Sequence, residues 1–271
     1  MSGAATKIGI AGLGAIGRAV ARKIHRGEIA GVSLAGVASR DRDKARAFLT
    51  EIGSNVPVET VEEIAARSDI VVECAPAAVF RDIAVPVLSA GKRLMALSAG
   101  QILANEDLID LARRRGGQIV VPTGALIGLD AVTAAAEGEI RSVTMITRKP
   151  VKGLLGAPYL AREGIEIANI TAPLKIFDGT ARAAARGFPE NVNVVAALSL
   201  AGIGADRTTI EIWADPALQR NVHRVVVDSD AARFEMQIEN VPSENPKTGR
   251  ITGLSVLAAL RKLHAPLRVG T

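Results

Sequence analysis

Two short groups of residues in this 271-residue sequence have the types and spacing to do chemistry. The first is Gly12-Leu13-Gly14-Ala15-Ile16-Gly17, which follows the β-branched run Lys7 to Ala11. It opens a stretch in which Ile16, Val20 and Ile24 recur every fourth residue, a helical period. In a G-x-G-x-x-G turn between strand and helix, each glycine has a task. The first permits the tight turn, the second lets backbone approach a pyrophosphate, and the third lets helix and strand pack closely. The unpaired N–H groups at the helix start, at Ala15 and Ile16, and the positive end of the helix then face phosphate. The second group is Asn221 and His223, two residues apart, so an extended chain points both side chains to one face. An imidazole can take up a proton near neutrality. Of the other two histidines, His25 ends the first helix and His264 lies among the final residues.

The end of the second strand separates two dinucleotides. A site for NAD places Asp or Glu there to accept from the ribose 2′-hydroxyl. Here the strand ends Ala38-Ser39-Arg40-Asp41. Ser39 and Arg40 stand where a 2′-phosphate would sit, and Asp41 comes one residue late, within reach only if the loop shifts. The cofactor expected is NAD or NADP, with NADP accepted at least as well.

The elements that must position these residues fall into two rhythms. Up to Pro122, strands at about 7–11, 33–39, 69–74, 93–98 and 118–121 alternate with helices at about 15–26, 42–52, 77–90 and 105–115. That alternation predicts a parallel, doubly wound sheet with right-handed crossovers, the α/β architecture known as the Rossmann fold. Beyond Pro122 the pattern changes to alternating strands at 142–148, 166–170, 207–214, 223–228 and 233–238, with a helix near 192–201. These predict a second, α+β domain on a largely antiparallel sheet. The expected division is a dinucleotide-binding domain at 1–122 and a substrate and catalytic domain at 123–249. A C-terminal helix at about 250–271, clearest from 253 to 263, packs back on the first.

Composition narrows the partners. Hydrophobic residues make up 48% of the chain and charged ones 23%, the balance of a packed globular protein. The net charge is +5, yet the arginines are scattered beside acids and no aromatic-interleaved basic stripe exists for nucleic acid. Positive potential of this kind draws in small anions, a dinucleotide or a dicarboxylic acid. The single Cys74 leaves no disulfide and no cysteine-based metal cluster, so no metal is expected and a reducing cytoplasm is the natural setting. Met1 to Thr6 lack the basic start of a signal peptide, and no apolar run reaches the ~20 residues of a membrane helix.

Beyond these features the second half carries a family's motifs. Pro122-Thr123-Gly124-Ala125 and Gly128-Leu129-Asp130 come first, then Phe177-Asp178-Gly179-Thr180-Ala181-Arg182 and Phe188-Pro189-Glu190-Asn191-Val192-Asn193-Val194. Ala197-Leu198-Ser199-Leu200-Ala201-Gly202-Ile203-Gly204, Ala214-Asp215-Pro216, Asn221-Val222-His223 and Glu239-Asn240-Val241-Pro242-Ser243-Glu244-Asn245-Pro246-Lys247-Thr248 follow. In this order they resemble the L-aspartate dehydrogenase family over essentially the whole chain. Thr123, Ile127 and Gly249-Arg250 depart from its pattern. The resemblance implies oxidation of L-aspartate to iminoaspartate, which water converts to oxaloacetate and ammonia, with a link to pyridine nucleotide biosynthesis. It maps the catalytic histidine onto His223 and cofactor contacts onto Ala125 and Asn193, and it implies a homodimer. Asn221 would orient the substrate or the imidazole. Arg148, Lys149 and Lys247 are candidates to hold the substrate carboxylates. Two alternatives stand beside this reading: another dehydrogenase of similar layout, resembling homoserine dehydrogenase or dihydrodipicolinate reductase, or a dinucleotide sensor without chemistry.

Overall fold

The structure is a computed structural model that describes residues 4–189, 191–243 and 249–270. The chain divides into two units. One comprises Met1–Ser98, Asn105–Pro122 and Gly253–Arg268, the other Ala99–Ala104, Thr123–Thr252 and Val269–Thr271.

The first unit is built on β1 (Thr6–Ala11), α1 (Ala15–His25), β2 (Val32–Ala38), α2 (Arg42–Glu51), β3 (Val58–Glu59), α3 (Val61–Arg67), β4 (Ile70–Glu73), α4 (Phe80–Ser89) and β5 (Arg93–Ala96). After α5 (Ala99–Ala104), which belongs to the second unit, come α6 (Asp107–Arg115) and β6 (Gln118–Val120). The strands form one sheet in the order β3-β2-β1-β4-β5-β6, and every pairing is parallel. The strand residues explain the arrangement. Ile8, Ile10, Val37, Ile70, Val72 and Met95 are all buried, the aliphatic runs of a sheet covered on both faces. Val20, Ala21 and Ile24 on one stripe of α1 pack into this core.

The second unit runs α7 (Leu129–Ala135), β7 (Ile140–Pro150), α8 (Pro158–Glu163), β8 (Leu174–Thr180), α9 (Ala181–Gly187), α10 (Asn193–Ala201), β9 (Thr208–Asp215), β10 (Asn221–Ser229) and β11 (Arg233–Asn240). Its sheet has the order β11-β10-β7-β9-β8. Three of the four pairings are antiparallel; β7 and β9 run parallel, with α8, β8, α9 and α10 filling the long connection that parallel neighbours require.

Two expectations change. Residues 166–170 form no strand: the Ile170 N–H turns back to the Ile167 carbonyl at 3.5 Å. The strand of that region is β8, whose register against β9 shifts between Lys175 and Phe177, a bulge that breaks the two-residue alternation on which recognition depends. The last helix, α11 (Arg250–Lys262), ends earlier than residue 271. Its Val256, Leu257 and Leu260 are buried in the first unit's core.

Candidate functional site

In the first unit, β1 ends at Ala11 and the chain turns through Gly12, whose φ of +98° is a left-handed conformation suited to glycine. A Cβ there would lie 2.7 Å from the Cys74 carbonyl oxygen and 2.8 Å from the Ala75 nitrogen. At Gly17 a Cβ would come within 2.0 Å of the Gly12 oxygen, so helix α1 sits against its own turn only because Gly17 has no side chain. Gly14 differs. A Cβ there would meet nothing within 4 Å, so space lies open before the helix. Gly14 is the N-cap of α1, with no side-chain hydrogen bond at the cap and no acid in the first turn. Exposed Ala15 and half-buried Ile16 begin the helix. A tight glycine turn, open ground at the middle glycine and an uncapped helix start fit a dinucleotide pyrophosphate.

Two residues outside the glycine pattern brace this cradle. The Arg18 Nε donates to the Leu13 carbonyl at 3.0 Å while its guanidinium lies over the Phe48 ring. Glu73, buried at the end of β4, accepts from the N–H groups of Ala75 (3.1 Å), Leu97 (3.1 Å) and Ser98 (2.9 Å) and from the Ser98 hydroxyl (3.1 Å). It ties together the carboxyl ends of β4 and β5, the rim where open α/β sheets bind ligands. Burial pushes its pKa up, and the four donors oppose that shift. An acid closing the apolar run Ile70 to Val72 was the available sequence signal.

At the end of β2, Ser39 is half-buried and Arg40 exposed. Asp41 is committed elsewhere. It caps α2, accepting from the Lys44 N–H at 3.0 Å and pairing with the Lys44 ammonium at 3.0 Å, which holds its carboxyl below the usual range. At this turn Asp41 is thus held by α2, and Ser39 and Arg40 stand at the strand's end.

In the second unit, antiparallel register places His223 of β10 opposite Thr147 of β7. Directly opposed residues share a face, and Thr147 Oγ1 lies 2.7 Å from His223 Nδ1. The imidazole is only 2% exposed. Burial, with the Lys149 ammonium adding to it, lowers the His223 pKa from 6.5 to about 3, so the ring is neutral at physiological pH. Lys149, two residues beyond Thr147 on the same face of β7, is also buried, which lowers its pKa to about 8. Its Nζ donates to the Asn191 carbonyl at 3.0 Å and to Asn191 Oδ1 at 3.1 Å.

Asn221 begins β10 and pairs with Asn240 at the end of β11. Asn240 is buried; its Nδ2 donates to the Ala125 carbonyl at 2.9 Å, while its buried Oδ1 has no partner among the described residues. Asn193 opens α10, and its Oδ1 accepts from the Gly100 N–H at 3.0 Å, joining α10 to the first turn of α5.

His223, Asn221 and Lys149 thus share one face of the sheet. Arg148 occupies the other, exposed, its guanidinium over Trp213 and 4.0 Å from Asp215. Lys247, like Glu190 and the segment 244–248, lies outside the described residues. The hydrogen bond found at the imidazole is made by Thr147, which sequence reasoning had placed only as a strand residue. Asn191 and Asn240 stand in the family's motifs without a role; the contacts of Thr147, Asn191 and Asn240 depend on pairing register and loop approach, which are tertiary facts.

Comparisons with known proteins match both halves of the chain. Residues 12–122 match the family model described as "Homoserine dehydrogenase, NAD binding domain". Residues 130–263 match "Aspartate dehydrogenase, C-terminal". The chain is 54% identical to the L-aspartate dehydrogenase of Bradyrhizobium diazoefficiens over 98% of this chain and 94% of that one. It is 55% identical to L-aspartate dehydrogenase 3 of Bordetella bronchiseptica over 97% of each. Among solved structures, the aspartate dehydrogenase of Thermotoga maritima superposes with a TM-score of 0.72 at 22% identity, covering 98% of this chain and 99% of that one.

Proposed function

The chain belongs to the L-aspartate dehydrogenase family, and from that membership we infer that it oxidises L-aspartate, with NAD or NADP, to iminoaspartate, which water converts to oxaloacetate and ammonia. The observation that carries the reading is the full-length identity of more than half to L-aspartate dehydrogenases, joined to a buried histidine on the second unit's sheet.

The nicotinamide ring, when bound, supplies the acceptor for the hydride that leaves Cα. The backbone at Gly12, Gly14, Ala15, Ile16 and Gly17 holds the pyrophosphate, and Ser39 with Arg40 meets the adenosine ribose. Ala125 and Asn193 complete the cofactor contacts. Hydride departs only from a carbon bearing a neutral amine, so a base must first remove a proton from the substrate ammonium. His223 fills that role. In the tautomer whose Nδ1–H donates to Thr147 Oγ1, Nε2 keeps its lone pair and receives the proton. Asn221, on the same face, orients the substrate. Thr147 is the positioning residue, its hydroxyl holding the imidazole at Nδ1.

The protein works as a cytoplasmic homodimer in this reading: one cysteine suits a reducing compartment, and the second unit's sheet offers a surface for two-fold pairing. Among the described residues no helix is long and apolar enough to cross a membrane. The test is spectrophotometric. Reduced cofactor should accumulate with L-aspartate under both NAD and NADP, and with oxaloacetate plus ammonia it should be consumed. Cofactor binding without turnover, or turnover confined to another amino or hydroxy acid, sinks the assignment.

A further inference from the structure

We propose that Lys149 couples substrate binding to proton uptake: its buried ammonium receives one carboxylate of the dicarboxylic substrate, and the ion pair so formed switches on the neighbouring His223 as the base. This rests on the reading that the substrate is L-aspartate and that His223 takes its proton.

The first observation is a buried cation without an anion. Lys149 is 4% exposed, and among the described residues no carboxylate lies within ion-pair distance of it. Among the described residues it donates only to the two oxygens of Asn191, although an ammonium has three N–H donors. A buried charge is ordinarily paired, and neutral amide dipoles hold this one in the absence of substrate. A carboxylate is the ligand that such a site receives best, by a charge-assisted hydrogen bond.

The second observation is its neighbourhood. Besides Lys149, the residues around His223 on its face are Met145 and Thr147 on β7, Ile210, Ile212 and Ala214 opposite Met145, Thr147 and Lys149 on β9, Asn221 and Val225 on β10, and Met236, Ile238 and Asn240 on β11. None is charged. Helices α5 and α10 contain no ionisable side chain. The acids of β11, Glu235 and Glu239, alternate to the opposite face, where Glu235 takes the Arg224 guanidinium. Helix α9, packed against β8 and β9, carries Arg182 and Arg186, and Arg182 is paired with Asp206; the charge that bears on the imidazole is Lys149.

Together these give a two-step device. Without substrate, burial and an unneutralised ammonium keep the ring from holding a proton. A substrate carboxylate on Lys149 cancels the ammonium's field and places a negative charge beside the ring. The substrate N–H bond then breaks, its proton passes to His223 Nε2, and its electron pair stays on nitrogen to drive hydride departure. Proton uptake is thereby confined to the liganded protein.

The test uses succinate, a dicarboxylate without an amine, and the 15N resonances of the imidazoles, with His223→Gln assigning the signal among the three histidines. Free protein should keep His223 neutral well below pH 6. Saturating succinate, its binding followed by calorimetry, should move the titration upward by about one pH unit or more. Lys149→Met should abolish that response and raise the KM for aspartate roughly 10- to 100-fold. Lys149→Arg should keep the response. Wild-type protein that fails to bind succinate, or binds it with no change at His223, overturns the proposal, as does a folded Lys149→Met variant that responds like wild type. If Lys149→Met does not fold, the wild-type titration decides alone. Failure of the wild type to oxidise aspartate overturns the assigned reaction instead, and the succinate titration stays readable without it.

Discussion

At the scale of single residues, the functional weight falls on a histidine that is neutral because it is buried. His223→Ala removes the proposed proton acceptor while leaving the glycine turn untouched, so turnover should fall by about two to four orders of magnitude with cofactor affinity unchanged. Steady-state kinetics beside a calorimetric cofactor titration checks both halves. Burial has a second consequence, for stability. The folded pKa of about 3 lies below the ordinary imidazole value of 6.5, so between those pH values the unfolded chain binds a proton that the folded chain refuses. His223 costs nothing above pH 6.5, and stability is lost as pH falls through that window, with a slope approaching ~1.4 kcal/mol per pH unit. His223→Asn should flatten this part of a melting-temperature profile, and parallel profiles for the two proteins would refute the account. His223 and Asn221 could be singled out from the sequence because their types and spacing are local. Thr147 could not. It is one more β-branched residue in Ser142 to Arg148, and only the β7–β10 register sets it against the imidazole.

At the scale of elements, the turn after β2 decides which dinucleotide binds better. Asp41 is held by the first turn of α2, and detaching it would forfeit a helix cap of typically about 1 kcal/mol. The exposed Arg40 is the remaining charged group at the strand end, and a guanidinium suits phosphate recognition. Arg40→Asp should therefore lower kcat/KM for NADP about 10- to 100-fold and spare NAD. Equal losses with both cofactors would place Arg40 outside the ribose site. The same contrast governs what the sequence disclosed. The β1–α1–β2–α2 run was readable because buried parallel strands are aliphatic, helices repeat every 3.6 residues, and glycine marks the turn. In the second unit the bulged β8 hid its alternation, while 166–170 alternated without any ladder to join. The short α7, α8 and α9, of seven, six and seven residues, offered too few turns for periodicity to emerge.

At the scale of the whole molecule, the chain does not complete one unit before starting the other. Residues 99–104 leave the first unit to form α5, whose Gly100 is tied to Asn193, and residues 253–268 return to the first unit after the second is built. The glycine turn at the N-terminus therefore depends on the C-terminus. Val256, Leu257 and Leu260 are buried in the same cluster as Ile8, Ile10, Val20 and Ile24, the residues that seat β1 and α1. Removing one large aliphatic side chain from such a core costs about 2–5 kcal/mol, and a domain holds only ~5–15 kcal/mol in reserve. A chain ending at Thr252 loses all three at once. It should keep every residue of Gly12 to Gly17 yet bind neither NAD nor NADP in a calorimetric titration, with far-ultraviolet circular dichroism showing helix loss beyond the 13 residues of α11. Leu257→Ala in the full chain is the milder version, expected to lower the melting temperature while cofactor affinity at low temperature stays near wild type. Undiminished binding by the truncated chain would mean that β1, the turn and α1 hold their geometry without the last helix.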